Sequence, residues 1–264
     1  MLGAIIGDIV GSRFEFNNHK STDFELFSAD CHFTDDTICT LAVADALLNN
    51  LSFKQSLHSW CRKYIDGGYG RNFMLWVKSD NPKPYNSFGN GAAMRVSPCA
   101  WFSQNKDEIL AAARQSAICS HNHPEGVRGA MCIAHCIYLA RFNPPKRAIY
   151  DLATKDYGYN LDVNCDDIRR TNKFNETCQV TVPQAITCFL ESSNFEDAIR
   201  LAISIGGDSD TIAAITGSIA ESYYAEIPSA ITQKALSYLP NEMVDLIKDF
   251  YYYYLSEKNP FKEK

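Results

Sequence analysis

Apolar residues along the chain recur mostly at helical spacing. Residues 37–49, TICTLAVADALLN, are apolar almost all round, the pattern of a buried helix. SFKQSLHSWCRKYI (52–65) follows with one apolar face. KDEILAAARQSAICS (106–120) repeats apolar residues at Ile109, Leu110, Ala113 and Ile118. PEGVRGAMCIAHCIYLARF (124–142) opens with Pro124 and Glu125, both favoured in a first helical turn. A further helix is predicted to start at Pro183. Asn194 caps FEDAIRLAISI with Asp197 three positions on, close to a capping box. Residues 211–225 and 240–255 complete the helical segments. Strand signals are few: CQVTV (178–182) predicts a small hairpin at most. Three polar stretches rich in turn formers, 65–72, 79–95 and 157–176, read as loops.

No composition shift marks a linker and no repeat is visible, so the pattern predicts one all-α domain over residues 1–264, with roughly ten helices. Composition agrees: 46% hydrophobic and 21% charged residues describe a soluble globular chain. The formal charge of −6 repels phosphate backbones and argues against general nucleic-acid binding. No apolar run reaches the length of a membrane span. The apolar start, MLGAIIGDIVG, lacks a basic leader and is interrupted by Asp8, so no secretory signal is read there. None of the ten cysteines forms a C-x-x-C pair, and Cys132 and Cys136 share one face of an apolar run. Reduced thiols in a cytoplasmic protein are the expectation.

The chemistry concentrates in two acidic motifs. FTDDT places Thr34, Asp35, Asp36 and Thr37 directly before the apolar helix. GGDSDT places Asp208, Ser209, Asp210 and Thr211 before a second apolar helix. Taken singly, each is an ordinary helix cap. Together they set four carboxylates at the ends of two buried helices, with no Lys or Arg within either motif to offset them. A bound cation would relieve that burial. Carboxylates and hydroxyls are hard oxygen donors, suited to magnesium, manganese or calcium, and the motifs contain no His.

Three further features frame these motifs. Gly3, Gly7 and Gly11 recur every four residues, which permits close helix packing. Glu15 stands between Phe14 and Phe16, surroundings that favour a raised carboxyl pKa and general acid–base work. NSFGNGAAMR (86–95) is glycine-rich and able to offer backbone N–H groups to phosphate, though it is neither a P-loop nor a dinucleotide fingerprint. SHNHPEG supplies His121 and His123 between two helical segments, without the strand–helix context of a nuclease motif and without enough ligands for zinc.

In this order, FTDDT, GNGAAMR, SHNHPEG and GGDSDT resemble the motifs of the ADP-ribosylglycohydrolase family, over roughly residues 1–225. The resemblance implies an all-α orthogonal multi-helix fold and a binuclear magnesium centre, with manganese as an alternative. Thr34, Asp35 and Asp36 would lie on one side of that centre, and Asp208, Asp210 and Thr211 on the other. Glu15 matches a catalytic glutamate of the serine-directed branch, and Asp35 joins it as the second catalytic candidate. Ser87, Phe88, Gly89, Asn90, Gly91 and Met94 match a diphosphate and adenosine cradle, and His121 a ribose or phosphate contact. The implied activity is hydrolysis of the C1″ glycosidic bond of ADP-ribosylated proteins or small molecules, releasing ADP-ribose. Metal ions on the 2″ and 3″ hydroxyls would fix a sugar that develops oxocarbenium character.

The chain departs from the family pattern in places. Phe88 stands where the serine-directed branch usually has Tyr. The loop 86–91 has no Asp of the kind that recognises guanidinium in the arginine-directed branch, which tilts the expectation weakly toward O-linked acceptors, with Asp66 and Asp80 the acids that could reach the pocket instead. Segment 157–176 matches neither branch. Two other readings fit the same residues: a two-metal phosphoesterase, and a non-catalytic ADP-ribose binder.

Overall fold

The computed structural model describes residues 1–255 and 261. Its helices are α1 (Leu2–Gly11), α2 (Asp35–Leu48), α3 (Phe53–Lys63), α4 (Arg71–Lys78), α5 (Gly91–Met94), α6 (Lys106–Ile118) and α7 (Pro124–Ala140). They continue as α8 (Lys146–Asp151), α9 (Cys165–Thr171), α10 (Cys178–Glu191), α11 (Phe195–Ser204), α12 (Ser209–Tyr224), α13 (Ser229–Leu236) and α14 (Asn241–Tyr254). Among the described residues there is no strand, only an isolated bridge between Gly89 and Thr177. The all-α expectation holds, with more and shorter helices than the apolar pattern announced.

At the centre lies α12, buried from Ser209 through Ser222 and packed against α1, α7, α10 and α11. Helix α1 is buried over its whole length. The two helices meet backbone to backbone. A Cβ built on Gly3 would fall 2.1 Å from the Gly217 carbonyl oxygen, and one on Gly7 2.2 Å from that of Ala213. One on Gly11 would fall 2.4 Å from the Asp210 Cα. The four-residue glycine spacing thus forms a stripe along α1 that runs antiparallel down α12 and ends at the acidic turn.

Other elements correct the sequence reading. CQVTV is no hairpin; it opens α10, because Cys178, Thr181, Val182 and Ala185 fall on one buried face. Pro183 therefore lies inside that helix and does not start it. The stretch 79–95 contains the single turn α5, and 157–176 contains α9, whose N-terminus is capped by Asn164 through the Asp167 N–H. Helices α4, α8 and α13 have at most eight residues each, too short to show a clear period. Cys132 and Cys136 are both fully buried on α7, and all ten cysteines are free thiols. No helix among the described residues is long and apolar enough to cross a membrane.

Loss of the glycine stripe should be costly. Gly7→Ala is expected to destabilise the protein by about 2–3 kcal/mol, read as a lower urea midpoint, because backbone atoms block the new methyl. Gly70→Ala, where nothing lies within 4 Å, is expected to leave the stability within about 0.5 kcal/mol of the parent, with the urea midpoint unchanged or slightly raised.

Candidate active site

Helix α1 holds the first acidic motif through Asp8. Its carboxylate accepts from the Thr34 N–H at 2.9 Å, the Thr34 hydroxyl at 2.6 Å, the Thr37 N–H at 3.0 Å and the Thr37 hydroxyl. Thr34 also caps α2, its Oγ1 accepting from the Asp36 N–H at 3.4 Å. Asp208 stands at the cap position of α12 but makes no side-chain cap bond. Its Oδ2 instead accepts from Asn90 Nδ2 at 2.7 Å, and the same amide donates to Thr181 Oγ1 at 3.0 Å.

The two motifs meet directly. Thr211 Oγ1 donates to Asp36 Oδ2 at 3.0 Å, across 175 positions of sequence. Asp35, Asp36, Asp208, Asp210 and Thr211 line one cavity of about 430 Å³, together with Glu15, Glu176 and His121. Within it, Glu15, Asp208 and Asp210 offer carboxylate oxygens that all lie within 4.8 Å of one another. Asp36 Oδ1 is buried with no hydrogen-bond partner. None of the ion pairs among the described residues involves any of these acids.

Burial first, and then mutual repulsion, pushes the carboxyls of Asp35, Asp36 and Asp210 well above the ordinary range. Glu15 is pushed up to about 7 by burial and by the charges of Asp208, Asp8 and Glu176. A hard divalent cation fits this donor set. It would take up the orphaned Asp36 oxygen and relieve the crowding of Glu15, Asp208 and Asp210.

The loop that carries Glu15 is pinned to the second motif by Asn18. Its Nδ2 donates to the Phe14 oxygen at 2.8 Å, the Glu15 oxygen at 3.0 Å and the Gly207 oxygen at 2.9 Å, while Oδ1 accepts from the Gly207 N–H at 2.8 Å. Lys20 adds a bond to the Ile205 oxygen at 2.7 Å. Gly206 and Gly207 have φ of +66° and +88°, a left-handed turn suited to glycine that precedes Asp208.

The opposite wall is the glycine loop. Its backbone pairs with the end of segment 157–176: the Asn90 N–H donates to the Glu176 oxygen at 2.7 Å, and the Cys178 N–H to the Phe88 oxygen at 3.0 Å. Ser87, Gly89, Asn90, Gly91 and Met94 line the cavity. Two matched residues do not. Phe88 is exposed outside it, edge-on to His123 with ring centroids 5.4 Å apart. Thr34 is buried behind the lining, its hydroxyl proton given to Asp8. Asn90 belongs as much to Asp208 as to any ligand. Asp66 and Asp80 are absent from the lining, and Asp80 pairs with Arg62 at the surface.

Sequence reasoning missed Asp8, Asn18, Arg95 and Glu176. A lone carboxylate within the apolar run of α1 was the available signal for Asp8. Asn18 ties its neighbours Phe14 and Glu15 to distant Gly207, and Arg95 and Glu176 find their partners far along the chain, so the sequence did not mark their roles.

Residues 1–258 match the family model described as ADP-ribosylglycohydrolase. ADP-ribosylhydrolase ARH3 of Homo sapiens is 24% identical over 322 residues, covering 90% of this chain and 88% of that protein. ADP-ribosylarginine hydrolase Tri1 of Pseudomonas putida (strain GB-1) is 26% identical over 264 residues, covering 85% of this chain and 69% of that protein. A solved structure titled ADP-ribosylglycohydrolase-related protein complex superposes with a TM-score of 0.70 at 24% identity, covering 96% of this chain and 97% of that one, which speaks for the fold. With its two acidic motifs joined across one cavity, the chain belongs to the ADP-ribosylglycohydrolase family, and it is a hydrolase.

Proposed function

We propose that the protein is a magnesium-dependent hydrolase that cleaves the C1″ glycosidic bond of ADP-ribosylated acceptors and releases ADP-ribose, with O-linked acceptors favoured over arginine. The observation that carries this reading is the Thr211–Asp36 hydrogen bond, which joins the two acidic motifs inside a cavity of ligand size. Asp35, Asp36, Asp208, Asp210 and Thr211 would hold two divalent ions, with Thr34 behind them. Bound ions supply positive charge that offsets the acidic cluster and fixes a ribose diol.

The chain's own residues do the rest. Glu15 exchanges the proton on the attacking water or the leaving group, its carboxyl held ready by burial and acidic neighbours. Asp35 shares the acidic wall and is the second catalytic candidate. Asn18 holds the Glu15 loop against Gly207, which limits the freedom of the carboxylate before reaction. Ser87, Gly89, Asn90, Gly91, Met94 and His121 form the wall that would take the diphosphate and adenosine. Because Phe88 lies outside the cavity, its ring is not assigned to adenine. The preference for O-linked acceptors is supported by the loop 86–91 lacking Asp and by the surface position of Asp80.

Chelation should abolish turnover, and added magnesium should restore it and raise the melting temperature. Saturation at about a hundredfold over Kd is worth about 2.7 kcal/mol. Asp35→Ala and Asp210→Ala are expected to lose the calorimetric magnesium signal; parental binding in both variants removes the metal site.

Glu15→Gln is expected to lower kcat by roughly 10²–10⁴-fold while leaving ADP-ribose binding within a few-fold of the parent. Parental turnover in this variant would take Glu15 out of the mechanism.

A panel of defined ADP-ribosylated substrates, with magnesium and with chelator, is expected to yield intact ADP-ribose, fastest from O-linked acceptors. Phosphate or AMP as product identifies a phosphoesterase instead, and tight ADP-ribose binding without turnover identifies a binder. Faster cleavage of arginine-linked substrate, lost in Glu176→Gln, reverses the acceptor preference and assigns guanidinium recognition to Glu176.

A further inference from the structure

Arg95 directly follows α5 at the end of the glycine loop, and none of its surface is exposed. Nη2 donates to the Ser116 oxygen and to Ser120 Oγ, both at 2.8 Å. Nε and Nη1 have no hydrogen-bond partner, and no carboxylate pairs with the guanidinium among the described residues. The Phe73 ring lies 5.7 Å away, a modest compensation. A buried, unpaired guanidinium is costly, and its neighbours show what it does.

Arginine only donates. Ser120 Oγ, which accepts from Nη2, therefore has its own proton left to give. That oxygen lies 2.8 Å from His121 Nδ1. The neighbouring thiol of Cys119 is a weak acceptor and donates its own hydrogen to the Ser116 oxygen at 3.2 Å. Given to Nδ1, the Ser120 proton makes that nitrogen an acceptor and puts the ring hydrogen on Nε2. Burial, and then the charge of Arg95, pushes the His121 pKa well below its usual value and keeps the ring neutral. The ring packs between Phe73 and Tyr85, with centroids 6.2 and 5.7 Å away. Nε2 faces the glycine loop: a Cβ on Gly91 would lie 2.9 Å from it, and one on Gly89 3.6 Å.

We propose that Arg95 and Ser120 are positioning residues whose relay locks neutral His121 as an Nε2–H donor, aimed at a diphosphate oxygen of ADP-ribose in the glycine loop. The ligand part rests on the function proposed above; the relay itself rests only on the geometry of these three side chains. Arginine suits the first position because it stays protonated and donates in a fixed plane, whereas a buried lysine readily loses its proton.

Ring ¹⁵N shifts of His121 at neutral pH, assigned by their loss in His121→Gln, test the relay in magnesium-loaded protein. The parent is expected to show Nε2 protonated and Nδ1 bare. Ser120→Ala is expected to mix the two tautomers, to weaken calorimetric ADP-ribose binding about tenfold and to raise KM more than it lowers kcat. Ser120→Thr keeps the hydroxyl and should restore all three. A parent ring protonated on Nδ1, or Ser120→Ala with parental shifts and affinity, overturns the relay. If Ser120→Ala does not fold, the parent shifts and Ser120→Thr still decide it. A parent that binds no ADP-ribose overturns the proposed ligand instead, while the ring pattern continues to decide the relay.

Discussion

The contact between α1 and α12 sets the geometry on which the site depends. With hydrogen in place of a side chain at Gly3, Gly7, Gly11 and Gly217, the two backbones approach closer than any larger residue allows. The stripe ends with Gly11 against Asp210, so the chain leaves α1 beside the acidic turn of α12, and Glu15 follows four residues later. The same helix carries Asp8, which receives the backbone and hydroxyls of Thr34 and Thr37. One short, wholly buried helix therefore positions both acidic motifs and the candidate proton carrier.

This arrangement concentrates negative charge where water is scarce. Asp35, Asp36, Asp208, Asp210 and Glu15 share a cavity, and none of them has a basic partner among the described residues. Such crowding opposes folding unless protons or cations neutralise it. The protein resists the resulting tendency to spread by local ties. Asn18 binds the Glu15 loop to Gly207, Asn90 binds the glycine loop to Asp208, and Thr211 binds Asp36. Each tie is a neutral donor on an acidic or carbonyl oxygen, so the site is held without spending its charge.

The far wall follows the opposite logic. There the buried charge is positive: Arg95, which also lines the cavity, donates to Ser120, and Ser120 lies beside His121. Under the proposed function, a ligand with a sugar diol at one end and a diphosphate toward the other matches this polarity, acidic wall against glycine loop.

Amino-acid pattern alone was enough for the class of fold and the chemistry of the donors. The all-round apolar run 37–49 and the helical period in 106–120 and 124–142 follow from which residues must avoid water, and hard oxygen ligands follow from residue type. The glycine spacing in α1 also announced a close helix contact before any partner was visible. What the pattern missed is equally physical. CQVTV has the β-branched residues of a strand, but burial of every third and fourth side chain against the core makes it the start of α10. Short α4, α9 and α13 have too few turns to display a period and are held by tertiary packing. Arg95 and Glu176 take their roles from partners distant in sequence, Asn18 joins its neighbours to distant Gly207, and Phe88, matched by motif, stands outside the cavity on a loop paired to Cys178. Periodicity and residue chemistry are local properties, so the chain displays them directly; a site built by joining residue 36 to residue 211 exists only once the helices between them have packed.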